Sequence, residues 1–202
     1  MPADHQIESA DSLDHALRHA LERARHGDLV TLGIVPNEPA TGYGYIRVGE
    51  QITASSFKVA AFAEKPDLAT ATEFINQGGH YWNSGLFVFK ASTYLAELKR
   101  FAPEIYSACA LAFRSCEVDM DFIRIDREAF LRSPNLSIDH AVMEHTDCAS
   151  VVPLEAGWSD LGSWNSIWKH RVADANNNVV EGNVALHETR GSLVVAQNRL
   201  VG

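Results

Sequence analysis

Apolar and polar positions alternate along this chain in two rhythms. Over "SADSLDHALRHALERARHGD", residues 9–28, Leu13, Ala16, Leu17, Ala20, Leu21 and Ala24 recur three and four apart. That spacing makes one stripe on a helix. Ser9 or Asp11 can cap its start and Gly27 its end. "LVTLGIV", 29–35, is a continuous apolar run and reads as a buried strand. A helix feeding such a strand is the rhythm of an α/β domain. "TGYGYI" (41–46) is a glycine-rich turn entering a second strand. "FKVAAFAEKP" (57–66) is a third, broken at Pro66. "DLATATEFINQG" (67–78) predicts a short helix closed by Gly78, and "HYWNSGLFVFK" (80–90) a strand with a glycine inside it. Residues 91–113 predict two helices, the second opened by Pro103. The pattern then weakens over 117–136, where only "REAFL" suggests helix. "SIDHAVMEHT" (137–146) predicts a short helix capped by Ser137, and "CASVVPLE" (148–155) a strand. After Asn176 short apolar alternations are separated by Asn, Gly and Glu, as in a β-hairpin or the first coil of a β-solenoid. The boundary is therefore placed near 174–178, dividing the chain into 1–175 and 176–202.

Composition narrows the function classes. With 46% hydrophobic residues the chain can build a substantial core. A formal net charge of -9 argues against a broad basic face for nucleic acid, although local lysines can still hold an anion. Cys109, Cys116 and Cys148 are odd in number and fit no CxxC pattern, so free thiols in a reducing compartment are expected. No apolar run is long enough to cross a bilayer and "MPADHQIE" is a polar start. These features together predict a soluble cytoplasmic protein that engages neither membrane nor nucleic acid.

No Walker A, GxGxxG, HExxH or EF-hand pattern is present. "GWSDLGSW" (157–164) resembles a nucleophile elbow, but its second glycine, Gly162, comes one residue late for Gly-x-Ser-x-Gly. Attention moves from Ser159 to Asp160. His15 and His19 lie four apart on the polar face of the first helix, and a solvated face explains them better than zinc. His140 and His145, five apart, do not share a helix face.

Each remaining segment has a plain structural reading. "TGYGYI" can be only a turn, "FAEKP" a surface strand end, "NSG" a bulge, and "GWSDLGSW" a turn with tryptophans in the core. Each also suits a ligand. Glycines around Tyr43 let backbone approach closely. Glu64 and Lys65 point to opposite faces if still on the strand, and can converge on one ligand if the strand has ended. Asn83 puts a polar group at the head of an apolar strand.

Together, and in this order, "PADH" (2–5), "LVTLGIVPNEPATGYGYI" (29–46), "FAEKP" (62–66), "WNSGLFVF" (82–89), "SIDHAVME" (137–144) and "GWSDLGSW" resemble the sugar-1-phosphate nucleotidyltransferases, most closely the bacterial mannose-1-phosphate guanylyltransferases, or GDP-mannose pyrophosphorylases. Two positions depart from the family's pattern: His140 stands where a tyrosine is expected and Ala40 where an acid is expected. The resemblance implies a Rossmann-like α/β nucleotidyltransferase domain followed by the start of a β-solenoid-like segment. It implies guanylyl transfer from GTP to mannose 1-phosphate, giving GDP-mannose and pyrophosphate, with Mg²⁺ held by Asp4 and Asp160. Lys65 would hold the sugar phosphate. Glu64, Asn83 and the backbone at Gly44 would bond mannose hydroxyls, and Tyr43 or Trp82 would wall the sugar.

The family's glycine-rich nucleotide loop has no counterpart here. The resemblance therefore implies an internal portion of such an enzyme, inactive alone, with its open sheet covered by a second copy or a separately supplied N-terminal piece. Two competing expectations stand beside it: a non-catalytic sugar-phosphate-binding or regulatory subunit, and a related nucleotidyltransferase acting on glucose 1-phosphate.

Overall fold

The computed structural model describes residues 4–202; Pro2 and Ala3 of the "PADH" stretch lie outside the described residues. These divide into two compact units, Glu8–Trp158 and residues 4–7 with Ser159–Gly202. The division falls at 158/159, whereas the change of sequence texture falls near 174–178.

The first unit opens with helix α1 (Ala10–Arg25), where the Ser9 hydroxyl accepts the Ser12 N–H at 3.2 Å. Its buried face is narrower than the stripe of leucines and alanines predicts. Ala16, Ala20 and Ala24 are buried, while Leu21 is 47% exposed. The small side chains let the helix backbone lie close against the sheet, and that close approach leaves Leu21 at the rim. Gly27, at φ +99°, turns the chain into β1 (Leu29–Ile34). All six residues of β1 are buried, as a continuous apolar run requires.

β2 (Tyr45–Thr53) and β3 (Ser56–Ala63) form a hairpin. Helix α2 (Leu68–Gln77) follows, capped by Asp67 and ended by Gly78 at φ +69°. β4 (His80–Val88) comes next, then α3 (Ala91–Phe101) and α4 (Pro103–Arg114). Pro103 sits in the first turn of α4, where its missing N–H costs nothing. With β7 (Ala149–Pro153) the sheet runs β1-β4-β2-β3-β7 and closes on itself. β1 is parallel to β7 and antiparallel to β4. Leu98, Ala102, Val142 and Met143 pack with Leu29 and Ala149 beside this sheet.

The stretch 117–136 is helical only where "REAFL" suggests it. It holds a small hairpin, β5 (Glu117–Asp119) with β6 (Phe122–Arg124), and a single turn of helix α5 (Arg127–Phe130) capped by Asp126. Met120, at φ +52°, makes the hairpin turn without a glycine to announce it. The expected helix at "SIDHAVMEHT" is one wide π turn, Asp139–Met143.

In the second unit, α6 (Trp164–Lys169) is capped by Ser163. β8 (Val179–Val184) and β9 (Leu193–Val201) pair in parallel, which excludes a hairpin and matches a solenoid coil. Buried Asn178 ties the coil together. Its amide donates to Asp174 at 3.1 Å and to the Thr189 carbonyl at 2.9 Å, and its oxygen accepts the Ser192 N–H at 3.2 Å. Among the described residues no helix is long and apolar enough to cross a membrane.

Candidate functional site

The start of β2 and the end of β3 converge on a bulge within β4. Tyr43 precedes β2, and its ring lies 5.0 Å from that of Trp82 and 5.4 Å from that of Trp158. Gly44 is buried, and its carbonyl accepts the Asn83 N–H at 2.7 Å. A Cβ on Gly44 would stand 2.5 Å from Glu64 Oε2 and 3.3 Å from both Asn83 Cβ and Phe62 Cζ. Only glycine lets these groups meet.

β3 ends at Ala63, so Glu64 and Lys65 lie beyond the strand. Lys65 adopts φ +46°, which swings its ammonium back to Glu64 at 3.1 Å. The Glu64 side chain is 11% exposed and that of Lys65 is 62% exposed. This leaves the carboxylate recessed and the ammonium open to an anion. A non-glycine residue in the left-handed region is uncommon, and such residues cluster at ligand sites.

Asn83 owes its aim to a bulge. β1 pairs Thr31 with Phe87 and Gly33 with Asn83, so β4 carries extra residues between, with Gly85 at φ +71°. The bulge expected at "NSG" is present. The Asn83 amide oxygen accepts the Thr31 hydroxyl at 2.7 Å and the Gly85 N–H at 3.2 Å. Its nitrogen donates to Asp139 Oδ1 at 3.0 Å.

Asp139 is a site residue that the sequence alone did not single out, as is Thr31. The available signals were a hydroxyl inside an otherwise apolar strand and a carboxylate ahead of the apolar "AVM". Burial first, and the nearby Glu64 charge second, push the Asp139 carboxyl above the usual carboxylate range. The Ser137 hydroxyl and His140 work against the rise. Glu144 joins the π turn to the strand end by accepting the Glu64 N–H at 3.3 Å. The structure thus brings Tyr43, Gly44, Glu64, Lys65 and Asn83 together.

Asp4 and Asp160 belong to the second unit. Gln6 and Ser159 exchange backbone hydrogen bonds at 2.8 and 3.1 Å, fixing the segment after Asp4 beside the segment before Asp160. Asp160 Oδ1 accepts the Gly162 N–H at 3.1 Å, and a Cβ on Gly162 would stand 2.6 Å from Oδ2. The glycine that spoils the nucleophile-elbow spacing is therefore the one that gives this carboxylate room. Ser159 is buried, with its hydroxyl accepting the Leu161 N–H at 3.2 Å, so it is no exposed nucleophile. Trp164 is 74% exposed rather than core. Among the described residues no three carboxylate, thiol or imidazole groups cluster to hold a metal. His15 and His19 meet edge to face on the exposed surface of α1, Nε2 to Nε2 at 3.2 Å.

Residues 1–177 match the nucleotidyl transferase family. The chain is 48% identical over 201 residues to a mannose-1-phosphate guanylyltransferase of Salmonella typhimurium, covering all of this chain and 42% of that protein. It is 48% identical over 205 residues to a mannose-1-phosphate guanylyltransferase of Escherichia coli, covering all of this chain and 43% of that protein. Among solved structures, a mannose-1-phosphate geranyltransferase of Thermus thermophilus superposes with a TM-score of 0.85 at 32% identity, over 100% of this chain and 58% of that one. The chain spans less than half the length of the curated relatives it matches.

Proposed function

The chain belongs to the nucleotidyl transferase family, and from that premise we propose that it carries the sugar-phosphate side of guanylyl transfer from GTP to mannose 1-phosphate, giving GDP-mannose and pyrophosphate. The observation that carries the reading is the Gly44–Glu64–Lys65–Asn83 cluster. It sets one recessed carboxylate, one amide and one exposed ammonium around Gly44, where a Cβ would displace the Glu64 carboxylate. Recessed polar groups suit hydroxyls, and an exposed ammonium suits a phosphate. Lys65 holds the sugar phosphate. Glu64 and Asn83 bond the hydroxyls with the backbone at Gly44, and Tyr43 or Trp82 walls the ring. The sugar phosphate oxygen attacks the α-phosphorus in line. Such a transfer needs positioning and charge neutralisation rather than a protein nucleophile.

Asp4 and Asp160 offer oxygen donors only. That suits Mg²⁺, which takes one or two carboxylates and completes its shell with phosphates and water. The room that Gly162 leaves beside Asp160 Oδ2 fits the same role. Bound there, the ion supplies neutralisation of phosphate charge. We retain 1–175 as the nucleotidyltransferase portion and 176–202 as the start of the β segment. The thiols of Cys109, Cys116 and Cys148 are free, which agrees with a cytoplasmic setting.

The test is pyrophosphate release with Mg²⁺, GTP and mannose 1-phosphate, alongside direct mannose 1-phosphate binding. Mg²⁺-dependent release supports the full reaction in this chain. Binding without release supports the sugar-phosphate role and leaves the subunit reading. Tighter binding of glucose 1-phosphate than of mannose 1-phosphate would change the substrate, and binding of neither would overturn the proposal.

A further inference from the structure

We propose that Asp139 is a positioning residue: with Thr31 it grips the Asn83 amide at both ends and leaves it a single N–H to offer a sugar hydroxyl. The inference rests on the sugar-phosphate reading above. Its own support is the hydrogen-bond pattern.

An asparagine amide has two donor hydrogens and two acceptor lone pairs. The Gly85 N–H can only donate, so the group 3.2 Å from it must be the amide oxygen. That oxygen also takes the Thr31 hydroxyl at 2.7 Å, which fills its acceptor capacity. The nitrogen therefore faces Asp139, at 3.0 Å, and spends one hydrogen there. One N–H remains, and Asn83 can act towards a ligand only as a donor. Its neighbour Glu64, when ionised, can act only as an acceptor. The pair then reads a hydroxyl-bearing ring with one donor and one acceptor of fixed sense.

The two anchors come from distant parts of the chain. Thr31 is fully buried in β1, and Asp139 opens the π turn. That turn is tied to the end of β3 through Glu144 and the Glu64 N–H. Asp139 thereby couples the orientation of Asn83 to the segment that carries Glu64 and Lys65. The carboxylate is half-buried beside Glu64, an arrangement that favours neither charge on its own account. Its use as a hydrogen-bond anchor gives that burial a role.

Three readouts test the inference on the intact protein. In ligand-free protein, the side-chain amide protons of Asn83 followed by NMR should shift with pH as Asp139 ionises, and Asp139→Asn should strongly reduce that shift. In calorimetric titrations with mannose 1-phosphate, Asp139→Ala should weaken binding by about five- to tenfold, the scale of one net hydrogen bond lost from the positioning of Asn83. Asp139→Asn, whose amide oxygen still accepts, should restore most of it. Adding Asp139→Ala to Asn83→Ala should cost nothing more, because the anchor acts only through Asn83. Asn83 signals that ignore pH, or additive losses in the double variant, would overturn the proposal. A wild-type protein that binds no sugar phosphate would instead overturn the reading beneath it. The ligand-free pH titration would still decide whether Asp139 holds Asn83.

Discussion

Gly44→Ala separates ligand binding from folding. Gly44 lies outside the left-handed backbone region, so alanine adds no backbone strain. Its methyl would arrive 2.5 Å from Glu64 Oε2, well inside van der Waals contact, and 3.3 Å from Asn83 Cβ. The Glu64 carboxylate is the far end of a flexible side chain and can swing away. The stability loss should sit at the low end of the overpacking range, about 1 kcal/mol. The carboxylate, however, leaves the place where it pairs with Lys65 and from which the proposed sugar hydroxyl is bonded. Losing its charge-assisted hydrogen bonds should cost about 1.5–3 kcal/mol of affinity, roughly 10- to 150-fold.

Gly33→Ala is the control. There the added methyl would meet Val151 Cγ2 at 2.7 Å and Tyr81 Cβ at 2.8 Å, both packed in the sheet and unable to yield. It should destabilise by about 1–3 kcal/mol or more. Calorimetric titration with mannose 1-phosphate and thermal melting on both variants would show the dissociation. Gly44→Ala binding as tightly as wild type would show that Glu64 has no part in holding the ligand.

Other consequences follow from the same geometry. In a form of the protein that releases pyrophosphate, Asp160→Asn should lower Mg²⁺-dependent turnover by about 100-fold or more while leaving the melting temperature near wild type, given what removing one transition-state-stabilising group typically costs; unchanged kinetics there would remove Asp160 from the proposed metal site. Gly162→Ala should weaken Mg²⁺ dependence in the same direction, since its methyl would crowd Asp160 Oδ2. Asp139 has its folded pKa raised, so the folded state holds the extra proton and stability contributed there falls as pH rises from the unfolded carboxylate value through the folded one. Asp139→Asn should therefore melt higher than wild type at pH 7, with the gap closing below the carboxylate range; a gap that stays constant with pH would contradict the shift. Gly182→Ala should destabilise the β8–β9 coil, because Gly182 is at φ +88° and a Cβ there would overlap the Ala196 carbonyl; limited proteolysis after residue 175 would report it.

The parts of the fold legible in the sequence are those where one local signal decides the outcome. Ser9 and Asp67 cap helices because their oxygens reach the third N–H onward, and Pro103 opens α4 because its ring fixes φ. β1 is legible because six buried residues admit nothing polar except Thr31. The exposure of Leu21 was not legible. Periodicity marks a face, but the depth to which alanine lets a helix approach a sheet depends on the sheet. The β5–β6 hairpin was hidden for another reason: it turns through Met120 with neither Gly nor Asn. Of the site, "FAEKP" and "NSG" were visible as motifs, but the Lys65 backbone and the bulge that turns Asn83 are tertiary outcomes. Asp139 and Thr31 meet Asn83 from 56 and 52 residues away, a separation no local pattern records.

The proposed hold of Lys65 on the sugar phosphate is tested most directly by the phosphorus-31 NMR signal of mannose 1-phosphate titrated with wild-type protein and with Lys65→Ala. The wild type should shift and broaden the resonance. The variant should need roughly 10- to 150-fold more ligand for the same effect, as expected when a charge-assisted contact to phosphate is lost. A resonance that responds equally to both proteins, or to neither, would contradict it.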